Sequence, residues 1–473
     1  MEHSGGSGAI PSWCEVKRAG GLPGQCQDAA MKTVLLVSFL FPPTNNIGAV
    51  RIGKFAKYLP DFGWEPVVLT VDDVGRYPQT LPVEVRESTV VRTWYPKLRL
   101  PWAHGGDHAK GGESSVDRPV STPSGLLTST LQRPLRFFYT LPLTQALLSS
   151  PTGWYLPGLR RALHITRERP VDAILTTYDP ATPHMIGSAL SRRTGTPWVA
   201  DYRDPWTQSA YLRRRWQPMQ FFEEQLERRL VRRSSLITAT SDPIAGRLER
   251  FHSRKVIVIR NGFDDDDFRD EAPPLTSKFT VTYVGNLYDR DLAPLLGAVR
   301  SLLDNGTISA EAFELRFLGN DVWRRLPGLI QKHGVGDVVK AYPAVSFKES
   351  LRKQRESTVL LLLGWCDERD RGILPGKLFE YLGSSRPILG VTLERDEIAG
   401  VLERTGAGII ASTGMAIRAQ LAAWFAEYSA GGKVTSGYAP DADAIGSYSR
   451  REQARRLSQV LEEAVEASAM ENG

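Results

Sequence analysis

Short apolar runs alternate with amphipathic stretches along most of this chain, and they do so in two separate series. The first comprises Val34–Phe39, Val67–Val71, Val90–Trp94, Ala173–Thr177, Trp198–Asp201, Ser235–Thr240 and Val256–Ile259. The second comprises Val281–Val284, Glu314–Leu318, Val338–Ala341, Val359–Leu363, Ile388–Val391 and Gly408–Ile410. Strands separated by helix-length segments cannot close as hairpins. They need crossovers, which means parallel sheets with helices on both faces. At 473 residues the chain also exceeds one comfortable core, so two domains are expected. In doubly wound sheets ligands bind beyond the carboxyl ends of the strands, and that is where chemistry is sought below.

The pattern divides the chain. Residues 1–30, rich in Gly and Ser, read as a disordered extension, and Met31 opens directly into an apolar strand. Residues 31–260 form the first unit, interrupted at 96–150. Within the interruption Leu98–Pro123 lacks periodicity and reads as a mobile loop. Leu126–Leu148 instead sets Leu131, Leu135, Phe138, Leu141, Leu143 and Leu147 around Arg133 and Arg136. That composition suits an interfacial membrane helix or a lid packed on the domain. Residues 261–276 read as a linker, with Asp264–Asp267 as a solvated turn. Residues 277–440 form the second unit, and in 441–473 the stretch Ile445–Glu466 reads as one long charged helix.

Composition narrows the class. The chain is 41% hydrophobic and 24% charged, and no run of about eighteen apolar residues suggests a membrane-spanning helix. Cys14, Cys26 and Cys366 offer neither metal spacing nor a disulfide framework, which favours a reducing cytoplasm. The N-terminus lacks the charged start and apolar core of a signal peptide. The net charge of +6 is concentrated in arginine clusters, Arg213–Arg215, Arg228–Arg229 and Arg232–Arg233. Such clusters suit anionic lipids or phosphorylated substrates; singly, each is an ordinary solvated helix face. No helix-turn-helix, finger or RNA-binding signature accompanies them, so nucleic acid is not expected as a partner.

Five motifs follow strands. After the first strand stands Phe41-Pro42-Pro43-Thr44-Asn45-Asn46-Ile47-Gly48-Ala49-Val50-Arg51, where Gly48 permits close approach to a helix start. Ile174–Pro180 ends its strand in Thr177 and Tyr178. Asp201-Tyr202-Arg203-Asp204-Pro205-Trp206 ends another in two acids, an arginine and an aromatic; caps or ion pairs to Arg203 are the plain alternatives. In the second unit Gly285-Asn286-Leu287-Tyr288-Asp289-Arg290 places a glycine where a diphosphate can approach and an arginine where it can be neutralised. Finally, Pro375-Gly376-Lys377-Leu378-Phe379-Glu380-Tyr381-Leu382 opens an amphipathic helix with a lysine and a glutamate on its first turn. A helix N-terminus holds phosphate, Lys377 adds a full charge, and Glu380 offers acceptors to ribose or sugar hydroxyls.

In order and spacing these motifs, over roughly residues 31–430, resemble the GT-B glycosyltransferases of the family-4 type. The resemblance implies two Rossmann-like doubly wound domains facing across a cleft, with a C-terminal helix. The first domain then takes the acceptor and the second the nucleotide-sugar donor. It assigns Gly48, Gly285, Asn286, Arg290, Lys377 and Glu380 to donor binding and Asp204 and Arg203 to the catalytic cleft on the acceptor side. Two departures stand out. Many relatives carry a cleft histidine where this chain has Thr177 and Tyr178, and His184 falls too late, inside a helix, so no catalytic histidine is assigned. The usual partner glutamate eight positions before Glu380 is replaced by Gly372, with Asp367, Glu368 and Asp370 nearby, which leaves donor identity open.

The function so implied is retaining, metal-independent transfer of a hexosyl unit from a nucleotide-diphosphate sugar to a hydroxyl, with no cofactor. Lys377, Arg290 and the helix dipole would stabilise charge on the departing diphosphate. The bacterial polysaccharide branch of the family points to cell-surface polysaccharide or glycolipid synthesis. A lipid-linked or glycan acceptor follows, with a cytoplasmic protein on an anionic membrane surface. A nucleotide-sugar epimerase and a non-catalytic binder are the alternatives.

Overall fold

The computed structural model describes residues 31–72, 74, 77–86, 89–95, 152–208, 217–288, 290–364, 374–393 and 396–472. The expectations for residues 1–30, for 96–150 and for Arg213–Arg215 therefore lie outside the described residues, as do those for Gly372 and the acids before it.

The first unit runs β1 (Lys32–Val37), α1 (Ile47–Tyr58), β2 (Trp64–Val71), β3 (Val90–Thr93), α2 (Tyr155–Glu168) and β4 (Ala173–Tyr178). It continues through α3 (Thr182–Thr194), β5 (Trp198–Tyr202), α4 (Gln217–Val231), β6 (Leu236–Ala239), α5 (Asp242–His252) and β7 (Ile257–Val258). The second begins with β8 (Phe279–Val284), α6 (Ala293–Asp304), β9 (Phe313–Leu318), α7 (Val322–His333), β10 (Val339–Tyr342) and α8 (Phe347–Arg355). It ends with β11 (Val359–Leu363), α9 (Gly376–Ser384), β12 (Ile388–Val391), α10 (Glu397–Thr405), β13 (Gly408–Ile410) and α11 (Gly414–Gly431).

Every strand candidate of both series is a strand, and all pairings between the named strands are parallel. The seven-stranded sheet has the order β3-β2-β1-β4-β5-β6-β7 and the six-stranded sheet β10-β9-β8-β11-β12-β13. Both are doubly wound, α/β and Rossmann-like. Because each central strand is covered on both faces, β1 buries Val34–Val37 and β11 buries all of Val359–Leu363, and neither shows the polar alternation of a half-exposed strand. Trp64, Trp154 and Trp198 fill the first core and Trp424 the second.

Strand order reverses between β1 and β4 in one sheet and between β8 and β11 in the other. Loops leaving those strands diverge to opposite faces and leave a crevice at each reversal. Four of the five motifs leave β1, β4, β8 or β11; the fifth leaves β5, next to β4.

Two expectations need correction. The C-terminal stretch is not one helix: α12 (Ala442–Gly446) stops, and α13 (Arg450–Asn472) starts anew. The intervening Tyr448 and Ser449 pair with Phe263, whose N–H donates to Tyr448 O and whose carbonyl accepts from Arg450 N. The break lets α13 return to the first domain, where Ala454, Leu457, Val460, Leu461 and Ala464 pack with Val34, Leu36 and Trp64.

Nor is Asp264 solvated. It is 3% exposed, caps the short turn Asp265–Phe268, and takes Lys57 Nζ at 2.8 Å together with Lys54 and the Tyr58 hydroxyl. Burial alone would raise its carboxyl, but these donors hold it far below the usual carboxylate range. The acidic run is thus clamped to α1, and of its four residues only Asp265 is exposed.

Candidate active site

The first domain builds its half of the site around the start of α1. Asn46 caps the helix, its side-chain oxygen accepting from Gly48 N at 2.8 Å. The Gly48 N–H is therefore already satisfied within the protein. What the glycine admits is Arg203: a Cβ at position 48 would fall on the guanidinium. Arg203, at the end of β5, is 10% exposed and reaches Asp204 Oδ2 at 3.3 Å, Asn46 Oδ1 at 3.4 Å and Asp179 O at 3.4 Å. Asp204 itself is half exposed.

The other aspartate of this motif does something else. Asp201 is buried and pairs with Arg51 of α1, at 2.8 and 3.0 Å, and accepts Thr238 Oγ1 at 2.8 Å. Burial opposes its charge, yet Arg51 and these hydrogen bonds hold its carboxyl below the ordinary value. Arg51 also donates to the carbonyls of Ile259 and Arg260 and to Asn261 Oδ1, and Arg450 of α13 donates to the same Asn261 oxygen at 3.2 Å. That network ties α1, the interdomain segment and α13 together and is structural.

His184 is fully buried in α3. Its Nδ1 lies 2.7 Å from Thr176 Oγ1, and burial pushes its pKa down to about 4. It packs edge-on against Trp198 and Tyr202. The ring at the end of β4 is Tyr178, stacked on Trp206 at 5.7 Å between centroids. The His184 ring lies 6.1 Å from that of Tyr178, buried in α3 behind it.

The second domain builds the other half at the end of β8. Gly285 has φ +131°, a conformation that glycine alone adopts without strain. It also leaves room for a side chain from α9, because a Cβ there would fall on Cε and Nζ of Lys377. Two motifs ninety residues apart thus meet at one point. Arg290 donates to the carbonyls of Asn286 at 3.2 Å and Gly364 at 3.3 Å, which fixes its guanidinium between β8 and β11. Asn286 spends its side-chain oxygen on Asn320 N at 3.1 Å.

Lys377 and Glu380 stand on the first two turns of α9, while Leu378, Phe379, Tyr381 and Leu382 anchor the helix in the core. The N–H groups of the first turn have no intrahelical acceptor. Among the described residues Lys377 Nζ makes no hydrogen bond. Burial lowers its pKa, Glu380 pulls it back up and Arg290 pushes it further down. Burial likewise raises Glu380, one oxygen of which is held by Gln354 Nε2 at 3.0 Å.

Gln354 is itself fully buried and accepts from Ser384 Oγ at 3.0 Å. Tyr381 adds a tie of its own, its hydroxyl oxygen accepting Val284 N at 3.0 Å, so α9 is bolted to the strand before Gly285.

The halves face each other. Ile47 of α1 would meet a Cβ at Gly376 at 3.0 Å, so the starts of α1 and α9 touch across the cleft. Farther along, Arg260 bridges Asp242 of α5 and Glu397 of α10.

Sequence reasoning missed Asp321, whose two oxygens accept Leu287 N at 2.8 Å and Tyr288 N at 2.9 Å and so set the loop that carries Arg290. Its signal was Gly319-Asn320-Asp321 after the neighbouring strand. Gln354 carried no signal, because a mid-helix glutamine becomes informative only once α8 is seen against α9. Among the described residues no group of three or more His, Cys, Asp or Glu side chains could hold a metal ion, and no helix is long and apolar enough to cross a membrane.

Residues 48–262 match the family model of the glycosyl transferase 4-like domain. No curated protein matches the chain in sequence. Among solved structures, a glycosyltransferase from Rickettsia africae is similar with a TM-score of 0.56 at 12% identity, over 92% of this chain and 99% of that one. The Anabaena protein HepE in complex with UDP and glucose gives 0.56 at 12%, over 91% and 99%. Sucrose-phosphate synthase from Thermosynechococcus elongatus gives 0.50 at 12%, over 93% and 98%. At such identities the likeness concerns the fold, which is GT-B.

Proposed function

We propose that the chain transfers a sugar from a nucleotide-diphosphate sugar to a hydroxyl acceptor, a reading supported by the match of residues 48–262 to the glycosyl transferase 4-like domain and by the GT-B fold. The observation that carries the proposal is Lys377 over Gly285 at the β8–β11 reversal, a cation without a hydrogen-bond partner among the described residues, beside Arg290 and the open end of α9. A diphosphate there gains the lysine charge, the arginine and the first-turn N–H groups together. Glu380, one oxygen fixed by Gln354, keeps the other for a ribose hydroxyl. HepE was solved with UDP and glucose, which fits a nucleotide-sugar as donor class.

In the proposed reaction the bond from the sugar's anomeric carbon to the diphosphate oxygen breaks as the acceptor oxygen bonds to that carbon. Charge builds on the departing diphosphate, where Lys377, Arg290 and the α9 dipole are already set; such preorganised electrostatics is the largest lever available. With His184 buried behind β4 and held neutral, we assign the acceptor proton to the departing phosphate oxygen, which corresponds to retaining transfer. Arg203 and Asp204, across the cleft, orient the acceptor. No step needs a metal. We place the acceptor among lipid-linked or growing glycans, as in cell-surface polysaccharide or glycolipid synthesis. The exposed arginines of α4 support this reading.

Thermal shift against a panel of nucleotide-sugars, followed by assay of their slow hydrolysis, tests the proposal. A ligand at a hundred times its dissociation constant adds about 2.7 kcal/mol of stability. If no nucleotide-sugar raises the melting temperature and none is hydrolysed, the proposal fails.

A further inference from the structure

The outward face of α4 has an apolar end and a basic end. Phe221 and Phe222 are 57% and 65% exposed and Leu226 is 41% exposed, unusual for rings and a leucine so close together. One turn on, Arg228 and Arg229 are exposed, and Arg232 and Arg233 continue past the helix end. With Gln225 the four arginines line an open cavity of about 350 Å³. Arg228 is partly engaged, donating to Phe251 O and lying 4.0 Å from the Phe251 ring centre. Among the described residues no carboxylate pairs with Arg229, Arg232 or Arg233.

The inner face of α4 is fixed. Glu227 is fully buried and accepts Tyr202 Oη at 2.9 Å and Thr207 N at 3.1 Å. Because β5 and β6 are parallel neighbours, the helix joining them runs back against both. Its first turns, with Phe221 and Phe222, therefore lie towards the strand ends that carry Arg203 and Asp204.

A soluble polyanion would engage the arginines and leave the two rings in water. An anionic bilayer takes both, with guanidinium groups at phosphate level and the rings below them. We propose that α4 docks the protein on an anionic lipid surface, through Phe221, Phe222 and the arginine cavity, and so brings the Arg203–Asp204 edge of the cleft to acceptors held there. The second clause rests on the transferase reading; the docking does not.

Flotation of the full chain with phosphatidylcholine vesicles, with and without phosphatidylglycerol, tests this. The wild type is expected to float only with the anionic vesicles and to be released as salt rises. Phe222→Asp and the pair Arg232→Glu with Arg233→Glu should each cut vesicle binding at least about tenfold, with an unchanged melting temperature and unchanged hydrolysis of a soluble donor. A wild type that stays below on anionic vesicles at low salt overturns the proposal. So do variants that float like the wild type, and so does retention on heparin without flotation, which identifies a soluble acidic partner. Donor hydrolysis is scored separately: its absence with flotation intact removes the transferase reading and leaves the docking standing.

Discussion

Each domain places a glycine after its first strand, and in each a cation from a distant element fills the space that a Cβ would take. In the first domain the glycine is Gly48 and the cation Arg203; in the second they are Gly285 and Lys377. The resemblance ends there. Arg203 is spoken for, held by Asp204, Asn46 and the Asp179 carbonyl, and the N–H of Gly48 is taken by the helix cap. Lys377 makes no hydrogen bond among the described residues, and burial disfavours its charge. One glycine hosts a finished internal contact and the other an unfinished one. A half-buried cation without a hydrogen-bond partner is costly unless an anion completes it, which is why we propose the second domain as the phosphate side.

The widest break in the comparison comes from removing the unfinished cation. Lys377→Ala is expected to lower turnover by about a hundredfold or more, the scale of losing one preorganised charge contact in the transition state. Its melting temperature should stay close to that of the wild type, because the cost of desolvating the ammonium and its attraction to Glu380 are lost together. The pH profile carries the same signature. A lysine whose pKa is lowered by burial is charged below that pKa and neutral above it. Activity that needs the ammonium is thus present on the acid side and lost as pH rises. The alkaline limb of kcat/KM should fall below the 10.5 of an ordinary lysine, and that of kcat, measured with diphosphate bound, should lie higher. Near wild-type turnover in Lys377→Ala, or a limb no lower than an ordinary lysine's, removes Lys377 from the donor site.

Exchanging the glycines sharpens the contrast. Gly285→Ala meets both a backbone at φ +131° and the end of the Lys377 side chain, so it should lose stability by about 1–3 kcal/mol and turnover by about tenfold or more. Gly48→Ala sits in a helix with no positive φ, where alanine is the better helix former by up to about 1 kcal/mol, so stability should be kept. Only the guanidinium of Arg203 must move. Urea melts and steady-state kinetics on the two variants read these directions separately. Equal stability losses would mean that the two positions are packed alike and that the contrast is not real.

How much of this was legible in the sequence depends on distance along the chain. The strands were legible because a parallel strand covered on both faces must be apolar throughout; the order in which they pair, and so the reversals, was not. The pairing of Gly48 with Arg203 and of Gly285 with Lys377 was not, since nothing local in either glycine says which cation will lie over it. Asp264 was misread for a related reason. Four consecutive acids look solvated until Lys54, Lys57 and Tyr58, one face of α1 about two hundred residues earlier, are brought against them. Asp201 and Asp204 show the same limit at closer range. Three residues apart at the end of β5, one is buried against Arg51 and the other half exposed beside Arg203.

That last difference gives the smallest and most discriminating test. Asp204 and Arg203 form a half-exposed pair at 3.3 Å, and such pairs contribute about 1 kcal/mol or less to folding. Asp204→Asn keeps the shape, removes the charge and should leave the melting temperature almost unchanged. If Asp204 orients the acceptor, turnover should fall about tenfold, equivalent to about 1.4 kcal/mol in the barrier, while nucleotide affinity stays as it was. In the proposed arrangement the acceptor meets this carboxylate on the first-domain side, whereas Lys377 and Arg290 hold the diphosphate on the other. A calorimetric titration with nucleotide beside a turnover assay separates the two. Unchanged turnover with a lowered melting temperature makes Asp204 a partner that merely steadies Arg203. A matched loss of nucleotide affinity moves Asp204 to the donor and undoes the division of labour between the two glycines.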